Sequence, residues 1–276
     1  MYMNTQPALF PRLLAAVLAG SLLLTACAPA ATPVTLTDPT AASTPAATLE
    51  PTAAPARDGS PRLSIDTGST ATGFQTETVA AVSAGSNAPY WEVLPAYTRV
   101  TLQGYPVGSH LMQPQIFIYP VEELGKVNEG AGKIAASLQS LLQSPQEIPN
   151  MPFLPMFNAA QVMHTHVQYL DFKNGRGLRY LTMFSQGLVP VNNNELIYTY
   201  QGLTSDGKYY AAAVLPVNHS SLPLNGKVTG NEPPEFTSDF RAYLANTAGN
   251  LNVQAANTFT PDLTLLDAMM SSLEIQ

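Results

Sequence analysis

Two histidines one residue apart, His164 and His166, stand in the run MHTHVQYLDFKNGRGLRYLT from Met163 to Thr182, with Asp171 a few residues on. Imidazole and carboxylate are common ligands of Zn²⁺, and three of them around an open position make a catalytic site. The chemistry this would support is metal-dependent hydrolysis, with His110 or His219 able to complete the ligand set. Strand geometry tests the idea. Residues two apart in a strand share a face, so His164 and His166 point the same way while Asp171, at odd spacing from both, points the other way. Asn174-Gly175 reads as a two-residue type I′ hairpin loop, because both residues tolerate positive φ. Val167 then opposes Thr182, Tyr169 opposes Tyr180 and Thr165 opposes Phe184, a predicted core face with Met163 and Leu178. The other face sets His166 against Met183 and His164 against Ser185, beside Gln168, Leu181 and Arg179. It holds no carboxylate or cysteine near the histidines. Two polar histidines on a half-covered face are the simpler reading, and the metal-dependent hydrolase is the alternative.

The remaining chemical motifs are few. The chain has no G-x-S-x-G, H-E-x-x-H, P-loop or dinucleotide fingerprint. No cofactor is expected. Asn192-Asn193-Asn194-Glu195 lacks the spaced acidic ligands of a calcium loop and reads as a polar turn. Thr204-Ser205-Asp206-Gly207 is tight-turn sequence. That turn closes a second hairpin over 195–217, in which Tyr200 opposes Ala213, Gly202 opposes Ala211 and Tyr198 opposes Leu215. Small residues around Gly202 let something approach the sheet closely. A packed helix is one occupant. The other reading is a shallow cleft walled by Tyr198, Tyr200 and Tyr209, suited to a peptide, a glycan or an envelope protein.

These residues need a scaffold. Leu63–Ile65, Phe74–Val82, Tyr97–Gln103 and Gln115–Tyr119 are predicted strands. Leu124, Val127, Ala131, Ile134, Leu138 and Leu141 recur at helical spacing, one buried stripe. Asn128 reads as an N-cap that breaks this stretch into a short first turn and a better helix over 129–143. Pro234–Gln254 carries Phe236, Phe240, Tyr243, Leu244 and Leu251 along one side. Thr260-Pro261 reads as N-cap and first helical residue before Leu263, Leu266, Met269, Met270 and Leu273. The predicted fold is α+β, a mostly antiparallel sheet flanked by helices, in a single domain over 62–276.

Composition narrows function. The 276 residues carry a formal net charge of −7 with only 12 Lys+Arg. That leaves no basic patch for nucleic acid. Charged residues are 11% of the chain, and Asn, Gln, Ser and Thr supply the polarity instead. A single cysteine excludes an internal disulfide framework.

That cysteine, Cys27, follows Arg12 and the apolar run Leu13–Leu24. The run is of secretory length, short of the ~20 residues that span a bilayer. Leu24-Thr25-Ala26-Cys27 resembles the lipobox of bacterial lipoproteins. The resemblance implies a signal peptide over 1–26, lipidation of Cys27 with palmitate-type chains, and a location on the extracytoplasmic face of the cell membrane. Residues 27–61 are rich in Thr, Ala and Pro and nearly free of large apolar side chains. Such a segment is predicted to stay disordered and to act as a spacer. From about Trp91 to Ile275 the chain resembles a family of uncharacterised bacterial lipoproteins. The motifs carrying this are Gly104-Tyr105-Pro106, Pro114-Gln115-Ile116 with Tyr119-Pro120-Val121, Asn174-Gly175-Arg176-Gly177 and the run from Tyr200 to Tyr210. The strand run, the late helix and the closing Leu265–Ile275 segment are similar to the PsbP-like α/β/α sandwich, whose members serve mainly as non-catalytic binding or assembly modules. Neither resemblance assigns a functional residue.

Overall fold

The computed structural model describes residues 61–276. The predicted signal peptide, Cys27 and the predicted spacer lie outside the described residues. In chain order the elements are β1 (Leu63–Ser64), β2 (Gly73–Val79), β3 (Tyr97–Gln103), β4 (Gln115–Pro120), α1 (Val121–Val127), α2 (Glu129–Gln143), β5 (Ala160–Phe172), β6 (Gly175–Ser185), β7 (Ile197–Thr204), β8 (Tyr209–Pro216), β9 (Asn218–His219), α3 (Glu235–Ser238), α4 (Phe240–Asn252), β10 (Phe259–Thr260), α5 (Leu263–Ser271) and β11 (Glu274–Ile275). The fold is α+β, as the sequence predicts. One sheet of seven strands, ordered β2-β3-β4-β8-β7-β6-β5, is antiparallel throughout. No helix among the described residues is long and apolar enough to cross a membrane.

Helices cover both faces of the sheet. Strand alternation sends Ala211, Ala213 and Leu215 of β8 toward α4 and α5, and Tyr210, Ala212 and Val214 toward α1 and α2. The central strands therefore read as continuous buried runs rather than polar–apolar alternations. Leu124, Leu138 and Leu141 of the helical stripe are fully or almost fully buried, each contributing about 1.5–3 kcal/mol over an exposed side chain. Asn128 breaks that stretch as predicted. Its side chain accepts from the Ala131 N–H at 3.0 Å and donates to the carbonyls of Tyr90 and Val93 at 2.9 and 3.1 Å. Gly125 and Gly132 let α1 and α2 touch, since a Cβ on Gly132 would lie 2.8 Å from the Gly125 Cα.

The second hairpin has the predicted register, with Tyr200 opposite Ala213 and Gly202 opposite Ala211. Gly207, at φ +71, closes its turn. The first hairpin departs from prediction. Its two-residue loop is Lys173-Asn174, so Phe172 opposes Gly175 and Tyr169 opposes Leu178. Neither Asn174 nor Gly175 adopts positive φ. Each residue serves another purpose. The Asn174 side chain accepts from the Ile275 N–H and donates to its carbonyl, fastening β11. Gly175 must lack a Cβ, because that atom would lie 2.1 Å from the Phe172 ring and 2.3 Å from the Leu203 carbonyl oxygen.

Beside that turn the two ends of the domain meet. β1 pairs antiparallel with β11, and Arg62 and Gln276 exchange both backbone hydrogen bonds, at 2.9 and 2.7 Å. A smaller correction concerns α5. Thr260 lies in β10, and Asp262 is the N-cap, accepting from the Thr264 N–H at 2.8 Å.

Asn128 closes a helix start and satisfies two loop carbonyls, so its loss should exceed an ordinary cap deletion. Asn128→Ala is expected to lower unfolding stability by about 2–4 kcal/mol. The check is a shifted urea midpoint with an unchanged slope.

Candidate functional site

Strand parity fails at the histidines because β5 is bulged. Between the pairs Thr165↔Leu181 and Gln168↔Arg179, two residues of β5 face one of β6. His166 sits in the bulge at φ 52, the only non-glycine residue with positive φ among the described residues. That conformation costs roughly 1–2 kcal/mol and persists where surrounding bonds enforce it. Here the His166 N–H donates to Asn252 Oδ1 at 3.0 Å, Nε2 meets the Leu251 carbonyl at 2.7 Å, and the His166 carbonyl accepts from Arg179 Nη1. The ring stands edge-on to Phe259. His164 lies toward the other layer, where its charged neighbour is Glu147 after α2.

The bulge therefore turns His166 to α4 and parts it from His164. It also displaces Val167 from the predicted core face to the surface. Asp171 pairs with Arg176 near the turn. Among the described residues no three His, Cys, Asp or Glu side chains are grouped as metal ligands.

Each of the other histidines is held by local partners. His110 Nδ1 accepts from the Met112 N–H, and its Nε2 meets the Leu196 carbonyl at 2.9 Å. His219 Nδ1 accepts from the Ser221 N–H and lies 2.7 Å from Ser221 Oγ. Because the Thr258 hydroxyl donates to the Ala255 carbonyl, Thr258 Oγ1 accepts from His219 Nε2. A serine hydroxyl against an imidazole is also the geometry of an activated nucleophile. Here no carboxylate orients the ring, and His110 closes the same turn onto a methionine. The Ser221 contact belongs to the turn.

The bulge shares its hydrogen bonds with the principal buried ion pair of the fold. Arg179 Nε and Nη2 meet the two carboxylate oxygens of Asp267 at 3.1 and 3.3 Å, with the side chains only 7% and 15% exposed. Nη2 also donates to Gln168 Oε1 at 2.7 Å, and the Tyr198 hydroxyl donates to Asp267 at 3.0 Å. Burial, and then the Asp267 carboxylate beside it, push the Tyr198 hydroxyl well above its ordinary range.

This placement removes the predicted tyrosine cleft. Tyr198 and Tyr200 are fully buried. Tyr198 is tied to α5, and Tyr200 donates to the Leu170 carbonyl at 2.9 Å. The Tyr200 ring fills the space left by Gly177 and Gly202, where added Cβ atoms would lie 2.5 and 2.7 Å from it. Tyr209 is half-buried near Pro61 and Tyr97. Close approach at Gly202 was legible in the sequence; that the neighbouring tyrosine would itself fill the gap was not.

An open recess lies elsewhere. A cleft of about 610 Å³ runs between α4 and the 221–233 loop, floored by Val191, Leu222 and Leu251. The Asn192–Asn193 turn builds it. Asn193 donates to the carbonyls of His219 and Leu222, accepts from the His219 N–H, and takes a backbone bond to Pro223. Tyr243 of α4 accepts from the Val191 N–H at 3.0 Å. The Glu232 carboxylate is turned into its own loop, where it accepts from the Thr229 and Gly230 N–H groups, and these bonds hold it below the usual carboxylate range. Sequence reading missed this cleft, since its lining is gathered from four separate segments. No protein-family profile, curated protein or solved structure matches the chain.

Two predictions follow from these arrangements. Arg179→Met or Asp267→Leu alone leaves the other charge buried and should cost about 3–5 kcal/mol, while the double variant costs much less than their sum. A urea double-mutant cycle measures the coupling. All four histidines, His110, His164, His166 and His219, are held below the ordinary imidazole value, first by burial. They take up protons less readily in the fold than in the unfolded chain, where histidine titrates near pH ~6.5. Their contribution is therefore complete above about pH 6.5 and is lost as pH falls below it. The urea midpoint should drop between pH 7 and 5 by less in His166→Gln than in the parent chain.

Proposed function

We propose that this chain is a bacterial lipoprotein, tethered through a lipidated Cys27 to the extracytoplasmic face of the cell membrane. Its folded domain is a non-enzymatic binding or envelope-assembly module. The apolar run Leu13–Leu24 ending in Leu24-Thr25-Ala26-Cys27 is the observation that carries the tether. The chain enters at Pro61, where β1 and β11 pair beside the Lys173-Asn174 and 205–208 turns. Strands β7 and β8 run from there to Ile197 and Pro216, a rise of about 25 Å. The cleft is built from residues 190–191 and 221–233 at that far end.

Binding is favoured over catalysis by the state of the polar groups. His219, whose ring is bonded to the cleft-lining Ser221 and to Thr258, and Glu232 on the rim, held by its own loop, are both engaged. The alternative, a metal-dependent hydrolase using His164 and His166, lacks support because the bulge turns the two rings to different layers. Resemblance to lipoproteins and to the PsbP-like sandwich points toward a binding module, although fold alone assigns no function.

The tether is tested by Cys27→Ser. Radiolabelled palmitate should no longer be incorporated, and the protein should leave the membrane fraction. Globomycin should block processing of the parent chain. Unchanged membrane partition and processing in both experiments would overturn the lipoprotein reading.

A further inference from the structure

We infer that Asn225, in the loop that closes the cleft, is a site of spontaneous deamidation, in which the Gly226 backbone nitrogen displaces the side-chain amide through a succinimide. The inference is independent of the tether and of what the cleft binds.

The chain holds two Asn-Gly steps, Asn174-Gly175 and Asn225-Gly226. In each, the glycine nitrogen is unshielded by a Cβ, and attack within one chain needs no collision. Local sequence treats the two steps alike, and the fold does not. The Asn174 amide is held at both ends, since Nδ2 donates to the Ile275 carbonyl and Oδ1 accepts from the Ile275 N–H. Gly175 is paired with Phe172 at the start of β6. Closing a ring at Asn174 therefore requires β11 to let go and the hairpin to open.

Asn225 is in the opposite state. Its side chain is exposed, and its Nδ2, the group that must leave, makes no hydrogen bond among the described residues. Nor does the Gly226 N–H. Asn225 Oδ1 accepts from the Lys227 N–H at 3.0 Å. This turn brings the side-chain carbonyl back along the Gly226 backbone. It also sets a donor on the oxygen that becomes negative when nitrogen adds to Cγ. The glycine cannot be exchanged to protect the site. A Cβ on Gly226 would lie 2.2 Å from Val189 Cγ1, and a β-branched side chain has few rotamers to give way.

Asp206-Gly207 supplies the contrast. Asp206 Oδ1 accepts from the Lys208 N–H in the same way, at 3.0 Å. The Thr204 hydroxyl, and then Lys208, hold that carboxyl down to about 2. An ionised carboxylate is closed to nucleophilic attack, whereas a neutral amide is open to it.

The reaction balances with water alone. Gly226 gives its N–H proton to solvent, and its nitrogen bonds to Asn225 Cγ. The Cγ–Nδ2 bond breaks, and Nδ2 leaves as ammonia. Water then opens the succinimide at either carbonyl, giving aspartate or isoaspartate, and nothing is oxidised or reduced. Both products place a carboxylate two residues before Lys227, which lines the cleft. Isoaspartate also reroutes the main chain and removes the Lys227 turn. The cleft margin thus becomes more acidic as the protein ages.

The test keeps the full chain in detergent micelles at mildly alkaline pH, folded and, in parallel, unfolded in urea. Peptide mass spectrometry follows both Asn-Gly steps over time. In the folded chain the segment with Asn225 should gain the mass of hydroxyl in place of amine and separate into aspartate and isoaspartate forms. Asn174 should convert at least about tenfold more slowly. In urea the two steps should convert at similar rates. Asn225→Gln, whose longer side chain disfavours ring closure, should remove the new species and leave the urea midpoint unchanged. Equal rates at the two steps in the folded chain would overturn the inference, as would an Asn225 that converts only in urea.

Discussion

The guanidinium of Arg179 is the constraint around which one whole layer of this protein is arranged. A cation nearly excluded from water is tolerable only when all its directions are matched. Asp267 supplies two oxygens from α5, Gln168 one from β5, and the carbonyl of His166 another. The last of these is available because β5 bulges and His166 turns to positive φ. The same turn aims the imidazole at the C-terminal end of α4 and the backbone N–H at Asn252. The ion pair therefore reaches α5 directly and α4 through the bulge. The cleft lies along α4, whose C-terminal end is thus linked through the bulge to the Arg179–Asp267 pair.

The protein meets its buried polarity elsewhere with amides instead of charges. Gln201, fully buried in β7, accepts from the Leu154 N–H and the Tyr210 hydroxyl and donates to the Leu154 carbonyl and Thr199. That one side chain fixes the loop after α2 onto the sheet. Asn128, Asn174 and Asn193 perform the same service for a helix start, the C-terminal strand and the cleft loop. A chain with so few charged residues can still specify one arrangement, because each buried amide has both donors and acceptors to place.

Periodicity carried far in the reading of this fold. β3 was predicted at its observed limits, the helical stripe broke at Asn128, and the second hairpin kept its register because an exposed turn alone sets it. The first hairpin did not, although it contains Asn-Gly. Its asparagine is drawn to β11, a hundred residues later, and its glycine is shaped by Phe172 and Leu203. Parity grouped His164 with His166 and failed because a bulge adds one residue. Nothing in Met163–Thr182 marks that bulge, whose stabilising partners lie in α4 and α5. Tyr198 and Tyr200 looked like a binding surface because an aromatic residue beside glycines looks the same in sequence whether its ring faces solvent or fills the gap.

What the sequence by itself determined is the class of the fold, with its long strands and main helices, and where the composition changes near Pro61. Those properties follow from local spacing of apolar side chains and from turn chemistry, and both act over a few residues. Only the tertiary structure decided which polar groups are spent and which remain open. The buried Arg179–Asp267 pair, the separated histidines and the groove between α4 and the 221–233 loop each join residues from distant segments. Hydrogen-bond satisfaction is a property of those meetings, so no local pattern could have recorded it.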